Sequence, residues 1–298
     1  MTSSQLKSEL AGGHSLSFSQ VSFSPEDVYR AGTLAQDIIL RKLLLREATI
    51  QLALVAEQER YTFPVATVTG TVAGTPARLT LTGHVFHTGD EVYVASVGGT
   101  TGVNGIRTVT KVDANTISLD GTTGTGAWTS GGKVYHRLYS AAFIPPEGIR
   151  LISGDDSGRV LTKKTQVDVD MLRTELGEGD GGMLYFWEEV RMPAAIGIIN
   201  VPAADCLAKV HAYFGALPCE ALSETVDPLV PDNFEMDRLL IIGARALMYE
   251  KLALKNIKAA GDAKAASDMF GASLRLYSKS SGASHRAESN DPGEGIRW

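Results

Sequence analysis

The chain has 298 residues, with 28 Lys plus Arg against 34 Asp plus Glu, a formal net charge of -6 and 44% hydrophobic residues. At this length a folded chain buries about three quarters of its unfolded surface, so its core needs no disulfide or metal support, and the ordinary apolar content excludes wholesale disorder. The acidic balance argues against a protein whose main task is to grip nucleic acid by neutralising phosphates.

Two cysteines, Cys206 and Cys219, are too few for a disulfide scaffold and suit a reducing cytosol, although they could pair. The N-terminus lacks an apolar signal region, and no run of about 18 apolar residues occurs, so neither a secretory leader nor a membrane span is expected.

Residues 1–23 are mostly small and polar and read as an extended arm. Ser24-Pro25-Glu26-Asp27 supplies an N-cap, a proline at the first helical position and acids in the first turn. The apolar stripe that follows predicts helix to about Glu59, with Gly32 a point where it could split. Tyr61-Thr62-Phe63-Pro64 changes the period to extended.

From about 65 to 138 Thr and Gly dominate and charges are sparse. Runs such as Ala77 to Thr82 and Glu91 to Val94 alternate like strands, and Asn104-Gly105 predicts a type I′ hairpin. This segment reads as a small all-β domain. Tyr139 to Pro145, Ile149 to Ile152, Val160 to Val169, Met183 to Trp187, Gly197 to Val201 and Asp205 to Phe214 form a second β region, with a short helix expected near Asp170. Asp232 and Glu235 suggest a capping box opening a helix from about 233 to 259; a second helix follows Gly261-Asp262 to about Ser278, and 279–298 reads as a tail. The fold class expected is α+β, with helical N- and C-terminal elements packed with a β body and a small all-β domain inserted.

Catalytic constellations are sparse. The glycines of 177–182 precede a strand instead of opening a helix, which speaks against a dinucleotide loop. His84, His87 and Asp90 are metal-ligand types, but residues three apart on a strand face opposite sides, so a polar turn is expected there. Asp155-Asp156, Asp168-Asp170 and Glu188-Glu189 read as solvated turns or faces, and Cys206 as a buried small hydrophobe. No catalytic, cofactor or metal residue is assigned, and no enzymatic activity is expected.

The order of elements, with Tyr61-Thr62-Phe63-Pro64, Asp168 to Leu172, Tyr185-Phe186-Trp187, Ile199-Asn200-Val201-Pro202 and the helix opened by Val230-Pro231-Asp232-Asn233, resembles the head-to-tail adaptor proteins of tailed bacteriophages, which include tail tubular and head-completion gatekeeper proteins. The likeness covers roughly 24–64 and 139–278. Residues 65–138 depart from it, and Leu81 to Val92, Val103-Asn104-Gly105, Val109 to Val112 and Thr116 to Leu119 look like a β module found in phage tail and fibre proteins. Such an insertion is expected at an exposed loop tip, projecting from the outside of the assembly.

The resemblance implies a structural virion protein of the neck, assembled in the host cytoplasm. It implies a homo-oligomeric ring, twelve-fold in that family, bound to the portal protein and to a downstream tail or nozzle protein, with double-stranded DNA passing through the lumen without sequence-specific binding. Candidate inter-subunit contacts are Ile38, Leu45, Leu239, Ile242 and Tyr249; candidate portal contacts are Leu274, Tyr277, His285, Arg286, Arg297 and Trp298. The alternative is a tail-fibre or receptor- or glycan-binding protein that uses the inserted β domain.

Overall fold

Thr2 and Gln5 exchange hydrogen bonds, the Gln5 N–H donating to the Thr2 hydroxyl and the Thr2 N–H to the Gln5 carboxamide. This reciprocal cap opens α1 (Ser3–Gly12), whose Leu6 and Leu10 are buried. The terminal ammonium lies 2.5 Å from Asp232 and 3.3 Å from Asp237. The expected extended arm is therefore a docked helix over 3–12, because two leucines four apart give even a polar segment one apolar edge. In this computed structural model the described residues are 1–12, 24–154, 157–165, 168, 185–189, 194–199, 202–253 and 260–280. They divide into two compact units, Met1–Arg46 with Gly215–Trp298, and Glu47–Phe214.

The first unit is helical. α2 (Pro25–Leu43) begins at Ser24, whose hydroxyl accepts from the Asp27 N–H while the Asp27 carboxylate accepts from the Ser24 N–H. It stops at Leu44, which takes a left-handed conformation with φ 51°. Helix to Glu59 is thus corrected: the alternation of Ile50, Leu52 and Leu54 wins over the helical stripe, and 47–54 is a strand. Gly32 does not split α2; a Cβ there would lie 2.8 Å from Leu222 and 2.9 Å from Leu6, so glycine permits close packing on α2. Past the helix, Arg46 forks onto both oxygens of Glu220 at 2.6 and 2.7 Å, while the Glu220 carboxylate also accepts from the Leu217 N–H.

α3 (Phe234–Ala253) is capped by Asn233, whose side chain accepts from the Met236 N–H, and not by the expected Asp232–Glu235 box, since Asp232 binds the chain terminus. α4 (Ala260–Ser280) follows. Ala35, Ile39, Leu40, Met236, Leu240, Ala244 and Phe270 form the buried centre of this unit.

The second unit contains an eight-stranded sheet and a closed barrel. The sheet strands are β1 (Glu47–Leu54), β2 (Arg60–Thr62), β9 (Ala141–Phe143), β10 (Ile149–Leu151), β11 (Val160–Lys163), β12 (Tyr185–Glu189), β13 (Ala195–Ile199) and β14 (Cys206–Phe214). Their order is β1-β14-β10-β11-β12-β13-β2, with β9 also on β14; β11 and β12 are parallel and the other pairs antiparallel.

The barrel strands are β3 (Val65–Val72), β4 (Ala77–Leu81), β5 (Glu91–Ala95), β6 (Gly105–Asp113), β7 (Thr116–Leu119) and β8 (Lys133–His136). They close in the order β3-β4-β7-β6-β5-β8, around Leu79, Leu81, Val92, Val94, Val109, Ile117 and Val134. Closure removes the exposed sheet edges that a Thr-rich insert of this size would otherwise present. The first and last strands pair, Val65 opposite Tyr135, so the two connections of the barrel to the rest of the chain lie side by side. Asn104-Gly105 is not the tip of a hairpin. Asn104 instead grips Val97, accepting from its N–H and donating to its carbonyl, and the two-residue connection is Ala114-Asn115 between β6 and β7.

Ile117 has no exposed surface at the centre of the barrel. Ile117→Ala is expected to cost about 2–5 kcal/mol in chemical denaturation of the full chain, whereas truncating the half-exposed Ile106 should change little.

Candidate functional site

The buried carboxylate of Asp90 sits where the barrel meets the sheet within the second unit. It follows Gly89, whose φ is +97° and whose added Cβ would lie 2.8 Å from Leu207; glycine alone suits both the conformation and the approach. Only 2% of Asp90 is exposed. One oxygen accepts from the Ala53 N–H on β1 at 3.0 Å, the other from the His87 N–H at 2.7 Å. β1 lies at one end of the sheet order, so the carboxylate satisfies an amide of a strand whose outward N–H groups have no ladder partner.

Two imidazoles flank the carboxylate. His136 Nε2 is 3.6 Å from one oxygen and His87 Nδ1 is 3.8 Å from the other. The Leu138 N–H donates to His136 Nδ1, so the ring proton is on Nε2, toward Asp90. Phe63 stacks on His136 with centroids 4.5 Å apart. Burial would raise the Asp90 carboxyl, but the His136 ring and the His87 and Ala53 amides together outweigh it and hold the carboxyl below its ordinary range. His87 is lowered, chiefly by burial and with a contribution from Lys111, against the opposing pull of Asp90.

These groups line a pocket of about 310 Å³, together with Gln58, Tyr61, His84 and Lys111. The Tyr61 hydroxyl accepts from the Val55 N–H and lies within donating distance of the Val55 and Gln58 carbonyls. Burial pushes its ionisation up to about 12, so it stays neutral. His84 is 8% exposed, stacks on Phe86, and neither ring nitrogen has a hydrogen-bond partner among the described residues.

The polar-turn reading of His84 is thereby corrected, since the stretch between β4 and β5 is irregular and both histidines reach one pocket. Among the described residues no group of three or more His, Cys, Asp or Glu side chains is placed to hold a metal ion.

Glu188 also departs from the expected solvated face. It is buried, pairs with Lys163 and accepts from the Ile144 N–H, and burial raises its carboxyl despite Lys163. Asp168 makes a local turn with Thr165. Cys206 is buried and Cys219 half-buried, and the two do not form a disulfide. Residues 155–156, 169–184 and 279–298 include further residues singled out in the sequence; of these, Asp155, Asp156, Asp170, the glycines of 177–182, His285, Arg286, Arg297 and Trp298 lie outside the described residues.

The remaining candidate contacts all fall in the helical unit. Leu239, Tyr249 and Leu274 are buried in its own core, which corrects their assignment as contact residues; Ile38, Leu45, Ile242 and Tyr277 are partly buried against that core. Among the described residues, the large apolar side chains that stay exposed there are Leu34, Leu229, Phe234, Met269 and Leu276. Phe234 and Leu276 were not among the candidate contacts, because their exposure depends on which face the neighbouring helices cover. No family model matches the chain, and no curated protein matches it at a significant level.

Asp90→Ala is expected to destabilise the chain by about 1–3 kcal/mol for each buried N–H left unpaired, measured by denaturant unfolding, with Asp90→Asn intermediate. Folding holds His87 neutral and Asp90 ionised more firmly than the unfolded chain does. Their joint contribution is therefore fully present above about pH 6.5, declines as His87 is drawn to protonate, and falls again below about pH 3.8. Thermal melts across that range should show this decline in the wild type and a smaller one in His87→Gln.

Proposed function

We propose that the protein is a structural head-to-tail adaptor of a tailed-phage virion, forming a ring below the portal around the DNA channel. The observation that carries this reading is the helical unit made from both ends of the chain, with Phe234 at 79% and Leu276 at 70% exposure. Phenylalanine and leucine this exposed on helices suit a contact surface, and Leu34 and Met269 add apolar area to the same unit.

A ring requires heterologous contacts, in which one face of a copy meets a different face of the next. Phe234 at the start of α3 and Leu276 near the end of α4 are the residues proposed to make them. The first and last strands of the barrel are adjacent, as in an accessory module, and the sheet strands complete their own order without it. A net charge of -6 favours a lumen that does not hold phosphate, so a duplex can slide.

Native mass measurement of the purified chain, alone and mixed with the portal protein of the same genome, tests the proposal. The expected result is a portal-dependent assembly of about twelve copies, lost in the Phe234→Glu, Leu276→Glu double variant while its helical circular dichroism is kept. A stable trimer that ignores the portal would contradict it.

A further inference from the structure

We propose that the pocket at the meeting of barrel and sheet is a binding site for a single pyranose ring. Its volume of about 310 Å³ lies at the lower end of ligand pockets, enough for a molecule of monosaccharide size.

The polar groups decide the chemistry. The Asp90 carboxylate can only accept, so the His87 proton sits on Nδ1, which faces it, and Nε2 keeps a lone pair as an acceptor. The Gln58 amide nitrogen donates to the Arg60 carbonyl, which leaves its oxygen as a second acceptor. Lys111 supplies donors, and its ammonium has no carboxylate partner among the described residues. Val85, 47% exposed, lines the same pocket and offers apolar contact to a ring face.

A phosphate needs several donors and would meet acceptors and the charge of Asp90 behind them. A metal finds no group of three His, Cys, Asp or Glu ligands among the described residues. Hydroxyl groups on a ring both donate and accept, and match acceptors at His87 and Gln58 with a donor at Lys111. His84 stands behind, with neither ring nitrogen hydrogen-bonded among the described residues, so the site has polar capacity the fold itself does not use. The charged and titratable groups facing His87 are Asp90, Lys111, His136 and Asp205.

This site does not depend on ring formation, and its test is separate. The full chain is titrated at pH 7.5 with the methyl pyranosides of glucose, galactose, mannose, N-acetylglucosamine and glucuronic acid, reading the His87 imidazole nitrogens by NMR. Saturable shifts at His87 are expected with at least one sugar at millimolar concentration, weakened about tenfold or more by Lys111→Ala read at the same nitrogens and by His87→Ala read at the His84 imidazole of the same pocket, each variant checked for an unchanged melt. In the unaltered chain, binding should weaken on acidification as Nε2 takes a proton. Silence of His87 with all five sugars, equal saturation by inorganic phosphate, or binding that survives both substitutions would overturn the proposal.

Discussion

One buried carboxylate ties the barrel to the sheet. Asp90 spans the junction with a hydrogen bond to the Ala53 amide on β1 and another to the His87 amide in its own loop. An ionised group buried to this degree costs several kcal/mol unless it is hydrogen-bonded, and here a backbone amide binds each oxygen while His136 Nε2 faces one of them at 3.6 Å. Geometry around it follows from that need. Gly89 allows the chain to come within reach of Leu207, Phe63 packs on the back of His136, and Tyr61 holds the β1–β2 turn by its hydroxyl. The Gly-Asp pair is thus a joint between two structures that each close their own hydrogen bonds.

The helical and β units solve the same problem by different means. In the helical unit, termini are satisfied locally, by Thr2 with Gln5, Ser24 with Asp27 and Asn233 with Met236, and burial of leucine and alanine faces does the rest. In the β unit, the barrel closes and the sheet edge at β1 is capped by a side chain. The proposed division of labour matches these materials. Helices with exposed phenylalanine and leucine are suited to assembly, and a rigid barrel beside a polar pocket is suited to recognition.

Much of this was legible in the sequence. A small all-β domain was expected over 65–138, from the loss of charge and the alternation there, and the strands found in that stretch run from 65 to 136; that they close into a barrel was not foreseen. α2 begins where Ser24 and Pro25 place it, whereas α3 begins near the expected 233 on an Asn233 cap and not on the expected Asp232–Glu235 box. The α1 helix was missed although Thr2 and Gln5 carry a capping signal, since composition outweighed two leucines. β1 was read as helix because the Leu43-Leu44-Leu45 triplet blurs the period, and only the left-handed turn at Leu44 separates the two. Nothing local in the sequence announces the Asp90 joint or the burial of His84. The joint depends on Ala53, 37 positions away on a strand of the sheet, which no local pattern pairs with Asp90.

The account stands or falls on the Asp90 to Ala53 hydrogen bond, and amide hydrogen exchange at Ala53 reads it directly. In the wild type the Ala53 amide should exchange as slowly as the centre of the sheet, despite lying on an end strand. In Asp90→Ala it alone among the β1 amides should speed up by orders of magnitude, while the barrel amides of Val92 and Ile117 stay protected. Fast exchange at Ala53 in the wild type, or no change on substitution, would contradict the claim that this carboxylate joins barrel to sheet.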